Sequence, residues 1–334
     1  MDAVAPTRST SDRGDGRRSR LVVPRGGLDL SIVIVNHESW PDTVCLVYSL
    51  LRSAGLVPDG ASLVPRAARV PLSLEVLVVD NGSGTHPLME TLSGLPQVRL
   101  LLESENLGFA AGVNRGWRAA RGRHLLVMNP DLLVPETFLS EVGRRVAWLD
   151  TFRERGPART GVLGFGLVNQ DGSPQFSTGY FPKVWWTLAG QFFPRWRRKY
   201  RALCSRRPHP CDWVSGACFL ARRDVFDQVG GMDEEYFLYY EEVDFCLRAR
   251  RAGWHAMHDP TLRVKHLHPL ERRPDAARFR EITRKSQLHY FRKNLPAWHF
   301  WLLAAAVRLE ERALDLVRWA WGVARPQGHR RGPM

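Results

Sequence analysis

The chain has little cysteine, no long apolar run and a shortage of negative charge. Its five cysteines, Cys45, Cys204, Cys211, Cys218 and Cys246, are odd in number and scattered. That argues against a disulfide framework and fits a reducing cytoplasm. Cys204, Cys211 and Cys218 are evenly spaced but lack the close pairs of a zinc site, so buried or bystander thiols are expected there. No run of about 18 apolar residues occurs, so no spanning helix is expected. The basic residues near the start are followed by no apolar segment, so no signal peptide is expected either. Asp and Glu number 34 against 48 Lys and Arg, giving a formal net charge of +14. Such an excess suits an anionic partner: nucleic acid, phosphorylated small molecules or an anionic membrane surface. No recognised nucleic-acid-binding motif accompanies it, and the ordered acidic sites described below argue against that partner.

What is present is enough for a full core: 334 residues, 44% of them hydrophobic. One large domain or two moderate ones follows from the length. "RGDGRRSR" and "RPQGHRRGPM" read as basic, disordered tails. Further arginine sits in "PRWRRKYRALCSRRP" and "ERRPDAARFREITRK". From "LDLSIVIVNHE" onward, apolar strands alternate with helices: "PDTVCLVYSLLRSAG", "SLEVLVVDNGSG", "VRLLLESENLGFAAGVNRGWRAARG" and "RHLLVMNPDLLVPETFLSEVGRRVAWL". The strands do not alternate apolar with polar, as expected of a parallel α/β sheet buried on both faces. In such sheets ligands bind at the carboxyl ends of the strands. There lie Asn36, Glu38, Asp80, Asn81, Asn106, Asn129 and Asp131. Later segments read as a hairpin with Asp-Gly at its turn, a strand and helix capped by Asp224, a helix ending at Gly253, a closing strand, and a long C-terminal helix.

Several residues could carry chemistry. Asp80 could accept hydrogen bonds from a base or ribose, or could form an Asx turn. Gly108 and Gly112 flank a helix start and could let backbone N–H groups approach a phosphate; close helix–sheet packing explains them equally. Asn129 and Asp131 in "LLVMNPDLLVP" supply hard oxygens suited to Mg²⁺ or Mn²⁺ on a diphosphate, the alternative being Asp131 as a helix N-cap. His266 and His268 lie at a strand's end, where one could complete a metal site with Asp131. In "EEYFLYYEEVDFCLRARRAGW", Glu241 and Asp244 share a helix face, Arg248 can pair with Asp244, and Glu242 is left for chemistry. Phe237, Tyr239 and Tyr240 would desolvate that carboxylate and make it a better base. The alternative is a capped helix with salt bridges.

Taken together, "SIVIVNHESW", "EVLVVDNGSG", "ENLGFAAGVNRG", "LLVMNPDLLVP", "WVSGACFLARRDVFDQVGGMDEEYFLYYEEVDFCLRARRAGW" and "VKHLHP" resemble the family 2 glycosyltransferases of GT-A fold, most of all the bacterial rhamnosyltransferase-like branch. The resemblance spans roughly residues 29–268. It implies a Rossmann-like, mostly parallel sheet flanked by helices, a nucleotide-sugar donor, inverting transfer and a divalent cation. Asn36, Glu38 and Asp80 match the nucleoside-binding strand ends, with Asn81 beside them a further candidate for the nucleotide, and Asn106 and Gly108 match the loop beside the nucleotide. Asp131 matches the retained metal ligand of a D-x-D motif whose first acid is here Asn129. Trp213 and Gly216 match the donor–acceptor cleft. Glu241 and Glu242 match the usual Glu-Asp pair, with Glu242 as the base, one methylene longer than Asp. His266 matches a histidine near the diphosphate.

The expected organisation is a tail over residues 1–27, the glycosyltransferase domain over 28–295, an amphipathic helix over 296–325 and a tail over 326–334. The expected partners are a dTDP-rhamnose or UDP-sugar donor and a glycan acceptor on a polyprenyl diphosphate at the cytoplasmic face, with peripheral membrane contact through the tryptophans of the last helix. A soluble or protein acceptor, and a last helix packed on the domain or in a homodimer, are the alternatives. Two other readings compete: a sugar-nucleotide-binding scaffold without turnover, and a basic nucleic-acid-binding protein.

Overall fold

A computed structural model describes residues 27–56, 72–151, 159–189, 205–268 and 276–320. The tails, Cys204, Trp321, most of the first arginine-rich stretch and the start of the second lie outside them.

Four strands, β1 (Leu28–Asn36), β2 (Leu74–Asn81), β3 (Val98–Glu103) and β4 (Gly122–Met128), run parallel in the order β3-β2-β1-β4. Alternate residues of these strands feed opposite cores. Val33, Val35, Leu77, Val79, Leu125 and Val127 enter one, while Ile32, Ile34, Val76, Val78, Leu126 and Met128 enter the other. Burial on both faces is why the sequence shows continuous β-branched runs rather than alternation. Helix α1 (Trp40–Ser53) carries Pro41 in its first turn. Short α2 (Leu88–Ser93) follows β2, and α3 (Phe109–Ala119) follows β3. Gly112 and Gly116 let α3 lie directly on Val35 and Val33, where any Cβ would collide.

Beyond β4 the sheet becomes mixed. It continues β4-β11-β6-β12-β5, with β11 (Cys218–Arg222) antiparallel to both β4 and β6 (Arg159–Val168). The long β12 (Trp254–His266) runs parallel to β6, and the two-residue β5 (Leu132–Leu133) clasps its end. The expected hairpin is present: β6 pairs with β7 (Pro174–Gln175) around a turn containing Gly172 at φ 81°. Small strands β8 (Thr178–Gly179) and β10 (Trp213–Val214) pair with each other, α5 (Val184–Ala189) follows β8, and β9 (His209–Cys211) pairs with β12. Helix α4 (Phe138–Thr151) precedes β6, and α6 (Arg223–Val229) follows β11. The acidic α7 (Glu241–Arg251) precedes β12, and α8 (Ala276–Asn294) and α9 (Ala297–Ala320) close the described chain.

One expectation needs correction. Asp224 does not cap α6: Arg222 occupies the cap position, and Asp224 sits in the first turn, 3.4 Å from the Arg222 guanidinium. The regular strand geometry of β11 continues up to the helix and leaves no room for an Asx cap. The expected C-terminal helix is present as α9, which begins just after Pro296, and α8 before it is a further helix that the sequence reading did not single out.

Candidate functional site

The carboxyl ends of β1 and β2 are tied together by buried polar groups. Asn36 Nδ2 donates to Asp80 Oδ1 at 2.7 Å, and Asn36 Oδ1 accepts from Thr43 Oγ1 at 2.8 Å. Ser83, which the sequence did not single out, is the hub. Its hydroxyl donates to Asp80 Oδ1 at 2.5 Å and accepts from the backbone N–H of Glu38 at 2.8 Å. Glu38 itself is exposed, with φ 52°, so this bond holds it in a strained left-handed conformation.

A second network joins β2 to the α3 turn. Asn81 Nδ2 donates to Asn106 Oδ1 at 2.9 Å and to the Gly108 carbonyl at 3.0 Å, while Asn81 Oδ1 accepts from Leu107 N–H at 3.1 Å. Gly108 is at φ 90° and its Cα packs against the Phe237 backbone, so no Cβ fits there. The Phe237 carbonyl accepts the first N–H of α3, from Phe109, at 2.8 Å. One backbone bond thus connects the glycine turn to the loop that carries the acidic pair.

That loop enters α7 through two consecutive left-handed residues, Tyr239 and Tyr240, each at φ 70°. Left-handed aromatic residues are costly, about 1–3 kcal/mol each, and persist only where packing over-determines them. Here the packing comes from α8. The Tyr240 ring lies 5.6 Å from that of Tyr290, its hydroxyl accepts from Gln287 at 2.8 Å, and Ser286 donates to the Leu238 carbonyl at 2.7 Å. Asp244, fully buried, receives Arg248 Nε at 2.7 Å, Lys293 Nζ at 3.0 Å and Asn294 Nδ2 at 2.8 Å. The expected Asp244–Arg248 pair is therefore present, and Asp244 is a structural anchor. Glu241 and Glu242 are buried in the first turn of α7, where the helix dipole favours anions. A Cβ built on Gly216 would lie 3.7 Å from Glu242 Cβ and 3.2 Å from the Phe109 ring, so the glycine opens space between them.

The third group lies where β4 ends. Asn129 N–H donates to the Ala217 carbonyl at 2.8 Å, next to Gly216. Asp131 is buried, with its Oδ2 at 3.3 Å from His266 Nε2. β5 and the Leu267 N–H bond to the Asp131 carbonyl, at 2.9 Å, bring these two together. Asp131 does not cap a helix, since α4 begins only at Phe138. Gln175 of the hairpin fixes the imidazole: its Nε2 donates to Asn169 Oδ1, so its Oε1 accepts from His266 Nδ1–H at 2.9 Å. With Nδ1 engaged by Gln175, the other ring nitrogen, Nε2, faces Asp131. No sequence signal marks Gln175. His268 departs from expectation: β12 stops at His266, so the alternation that would put both rings on one side is lost, and exposed His268 lies 3.8 Å from Asp42 instead. Trp213 is fully buried, donating to the Tyr180 carbonyl at 2.9 Å, and supports the Gly216 segment from behind.

Asp233, Glu235 and His289 also cluster with ligand atoms within 4.8 Å. Lys293 Nζ already lies 2.6 Å from Asp233 Oδ2, where a cation would bind, so this is an ion-pair latch between the acidic loop and α8. Burial alone would raise the Asp233 carboxyl; hydrogen bonds from Lys293 and His289 outweigh it and bring it to about 2. Buried Cys218 and Cys246 have their thiols pushed up by desolvation, as inert packing residues do.

With this geometry in place, likeness to known proteins identifies a domain. Residues 31–151 match the profile of Glycosyl transferase family 2. Residues 31–151 thus carry a family 2 glycosyltransferase domain. It is 35% identical over 211 residues to the N-acetylglucosaminyl-diphospho-decaprenol L-rhamnosyltransferase of Mycobacterium tuberculosis, covering 58% of this chain and 66% of that protein. It is 27% identical over 229 residues to the low-salt glycan biosynthesis hexosyltransferase Agl10 of Haloferax volcanii, covering 67% of this chain and 62% of that one. The chain thus spans just under two thirds of the length of these relatives. The crystal structure of GalNAc-T7 with UDP, GalNAc and Mn²⁺ superposes with a TM-score of 0.52 at 17% identity, over 78% of this chain and 48% of that one. The central sheet, with helices on its faces, is the GT-A arrangement expected of the family 2 domain.

Proposed function

We propose that the protein is an inverting glycosyltransferase. It would move a sugar, rhamnose by its likeness to the mycobacterial enzyme, from a nucleotide diphosphate donor to a hydroxyl of a lipid-linked glycan acceptor in cell-envelope polysaccharide synthesis. The observation that carries this reading is the chain of contacts from Asn36 and Asp80, through Asn81, Asn106, Gly108 and Phe237, to Glu242 beside Gly216. Polar strand ends suited to a nucleoside thereby adjoin a buried acid suited to deprotonation.

In this mechanism Glu242 removes the proton from the acceptor hydroxyl. That oxygen bonds to the anomeric carbon as the bond to the diphosphate breaks on the opposite face, with the electron pair leaving on the nucleotide diphosphate. Glu241 lies beside it in the first turn of α7 as the other member of the acidic pair. Asn36, Asp80 and Asn81 hold the nucleoside, and Gly108 brings backbone close to it.

Asp131 and His266 fit a divalent cation: one hard carboxylate oxygen and one imidazole nitrogen face each other, and the Gln175 bond to Nδ1 fixes the ring's orientation. Bound there, Mg²⁺ or Mn²⁺ would supply positive charge for the departing diphosphate. Asn129 in place of an acid weakens the site, leaving basic side chains a larger share of that work. The domain is taken to extend to residue 295 and to act at the cytoplasmic face of the membrane.

The test pairs binding with turnover. A thermal-shift panel of UDP-, dTDP- and GDP-sugars with Mn²⁺, Mg²⁺ or EDTA should show stabilisation by one nucleotide class, weakened by EDTA. Glu242→Gln should keep that stabilisation and lose transfer. Equal loss of both would remove Glu242 from the role of base.

A further inference from the structure

We propose that the outward face of α9, joined to α5, is a docking surface for an anionic lipid bilayer. The two faces of α9 differ sharply. Leu303, Ala304 and Val307 are buried inward, and Glu310 and Glu311 turn to Arg284 of α8 at 2.6 and 3.3 Å. At three- and four-residue spacing on the other side stand Trp298, Trp301, Arg308, Leu309, Arg312, Leu316 and Trp319, all exposed. Exposure reaches 62% at Trp301 and 83% at Trp319, which is unusual for tryptophan on a wet surface. Glu310 and Glu311 thus turn to the protein, while Trp298, Trp301, Trp319, Arg308 and Arg312 face out.

α5 extends the patch. Trp185 and Trp186 are 64% and 73% exposed, Lys183 beside them is exposed, and the Trp185 ring lies 6.1 Å from that of Trp298. Two segments more than a hundred residues apart in sequence therefore present one aromatic surface. Tryptophan with arginine on a helix that is not apolar all round is the composition of an interfacial helix lying in the headgroup layer. No helix among the described residues is long and apolar enough to cross a membrane. The 24 residues of α9 would lie along the surface for about 36 Å.

Charge selects the occupant. A second copy would bring Arg308 and Arg312 against the same cations of its partner, on a chain of net charge +14. Anionic headgroups neutralise them instead. Half-buried Asp315 flanks the stripe without reversing its sign. The surface also connects to the candidate site. Trp213 pairs with Gly179 and bonds the Tyr180 carbonyl just before α5, and Gly216 follows three residues later beside Glu242. The docking stands on the surface alone and does not require the transfer reading to hold.

The full chain is to be sedimented with phosphatidylcholine vesicles, with and without phosphatidylglycerol, at low and high salt. Binding should need phosphatidylglycerol and fall with salt. The double variant Trp298→Ser with Trp301→Ser should bind about tenfold or more weakly, and Arg308→Gln with Arg312→Gln should lose most of the salt-sensitive part. Unchanged binding by the tryptophan variant, or no binding by the parent, overturns the proposal. So does a concentration-dependent dimer of the parent that the tryptophan variant abolishes, which would assign the face to a second copy. Quenching of the parent's tryptophan emission by brominated phosphatidylglycerol reads insertion with no substitution, and its absence counts against the proposal even if a variant misfolds.

Discussion

The ends of β1 and β2 and the start of α7 both hold buried acids, but by opposite means. Asp80 is satisfied by near neighbours on adjacent strand ends, Asn36 and Ser83, all neutral and fixed by the sheet. Asp244 is satisfied by Arg248 of its own helix and by a cation and an amide from another helix about fifty residues away, and the backbone leading to it is strained at Tyr239 and Tyr240. The first arrangement is a by-product of parallel strand register. The second is assembled only when α8 docks. A site made of both has one half that the sheet preorganises and one half that depends on the C-terminal helices.

Substitutions can sharpen or break this contrast. The largest effect is on rate: Glu242→Gln should lower transfer by about 10²–10⁴-fold at unchanged donor affinity, whereas Asp80→Ala should weaken donor binding first, as seen by titration calorimetry and single-turnover assays. If both variants behave alike, the two halves are not functionally distinct. Next, Asp244→Ala should destabilise by about 3–5 kcal/mol in denaturant unfolding, because Arg248 and Lys293 are left near one another without their carboxylate. Gly108→Ala should cost about 2–4 kcal/mol, since the new methyl meets the Phe237 backbone at φ 90°. A cost below 1 kcal/mol would mean the two halves are not rigidly joined there.

The smallest effect concerns acid. The Asp233 carboxyl, about 2 when folded against an ordinary 3.8, lends stability that is present above the ordinary value and lost as pH falls through about 2. Asp233→Asn should therefore lower the melting temperature at neutral pH and flatten its fall across that window.

How much of this could be read from the sequence follows the same division. The four parallel strands were legible because doubly buried strands write continuous apolar runs. The polar residues at their ends were legible because the runs stop there. The acidic pair was visible as charge in an aromatic setting. Ser83 was hidden in an ordinary Asn-Gly-Ser turn, and Gln175 in a hairpin whose Asp-Gly drew the attention. The hold of Ser286, Gln287, Lys293 and Asn294 on the acidic loop leaves no local pattern, because each contact spans between 47 and 50 residues. His268 was misplaced because alternation was carried past the last residue of β12. The mixed right side of the sheet escaped because a five-residue strand such as β11 has the same composition in either direction.

The bond from Phe109 N–H to the Phe237 carbonyl has a thermodynamic consequence. Any ligand whose binding depends on the order of the glycine turn, and any ligand whose binding depends on the acidic loop, draw on the same hydrogen bond. Ordering by either one removes part of the entropy cost that the other would meet, by the same factor in both directions. Donor and acceptor affinities are then not separately adjustable at this peptide: a change that loosens the turn to relax one specificity surrenders part of the other.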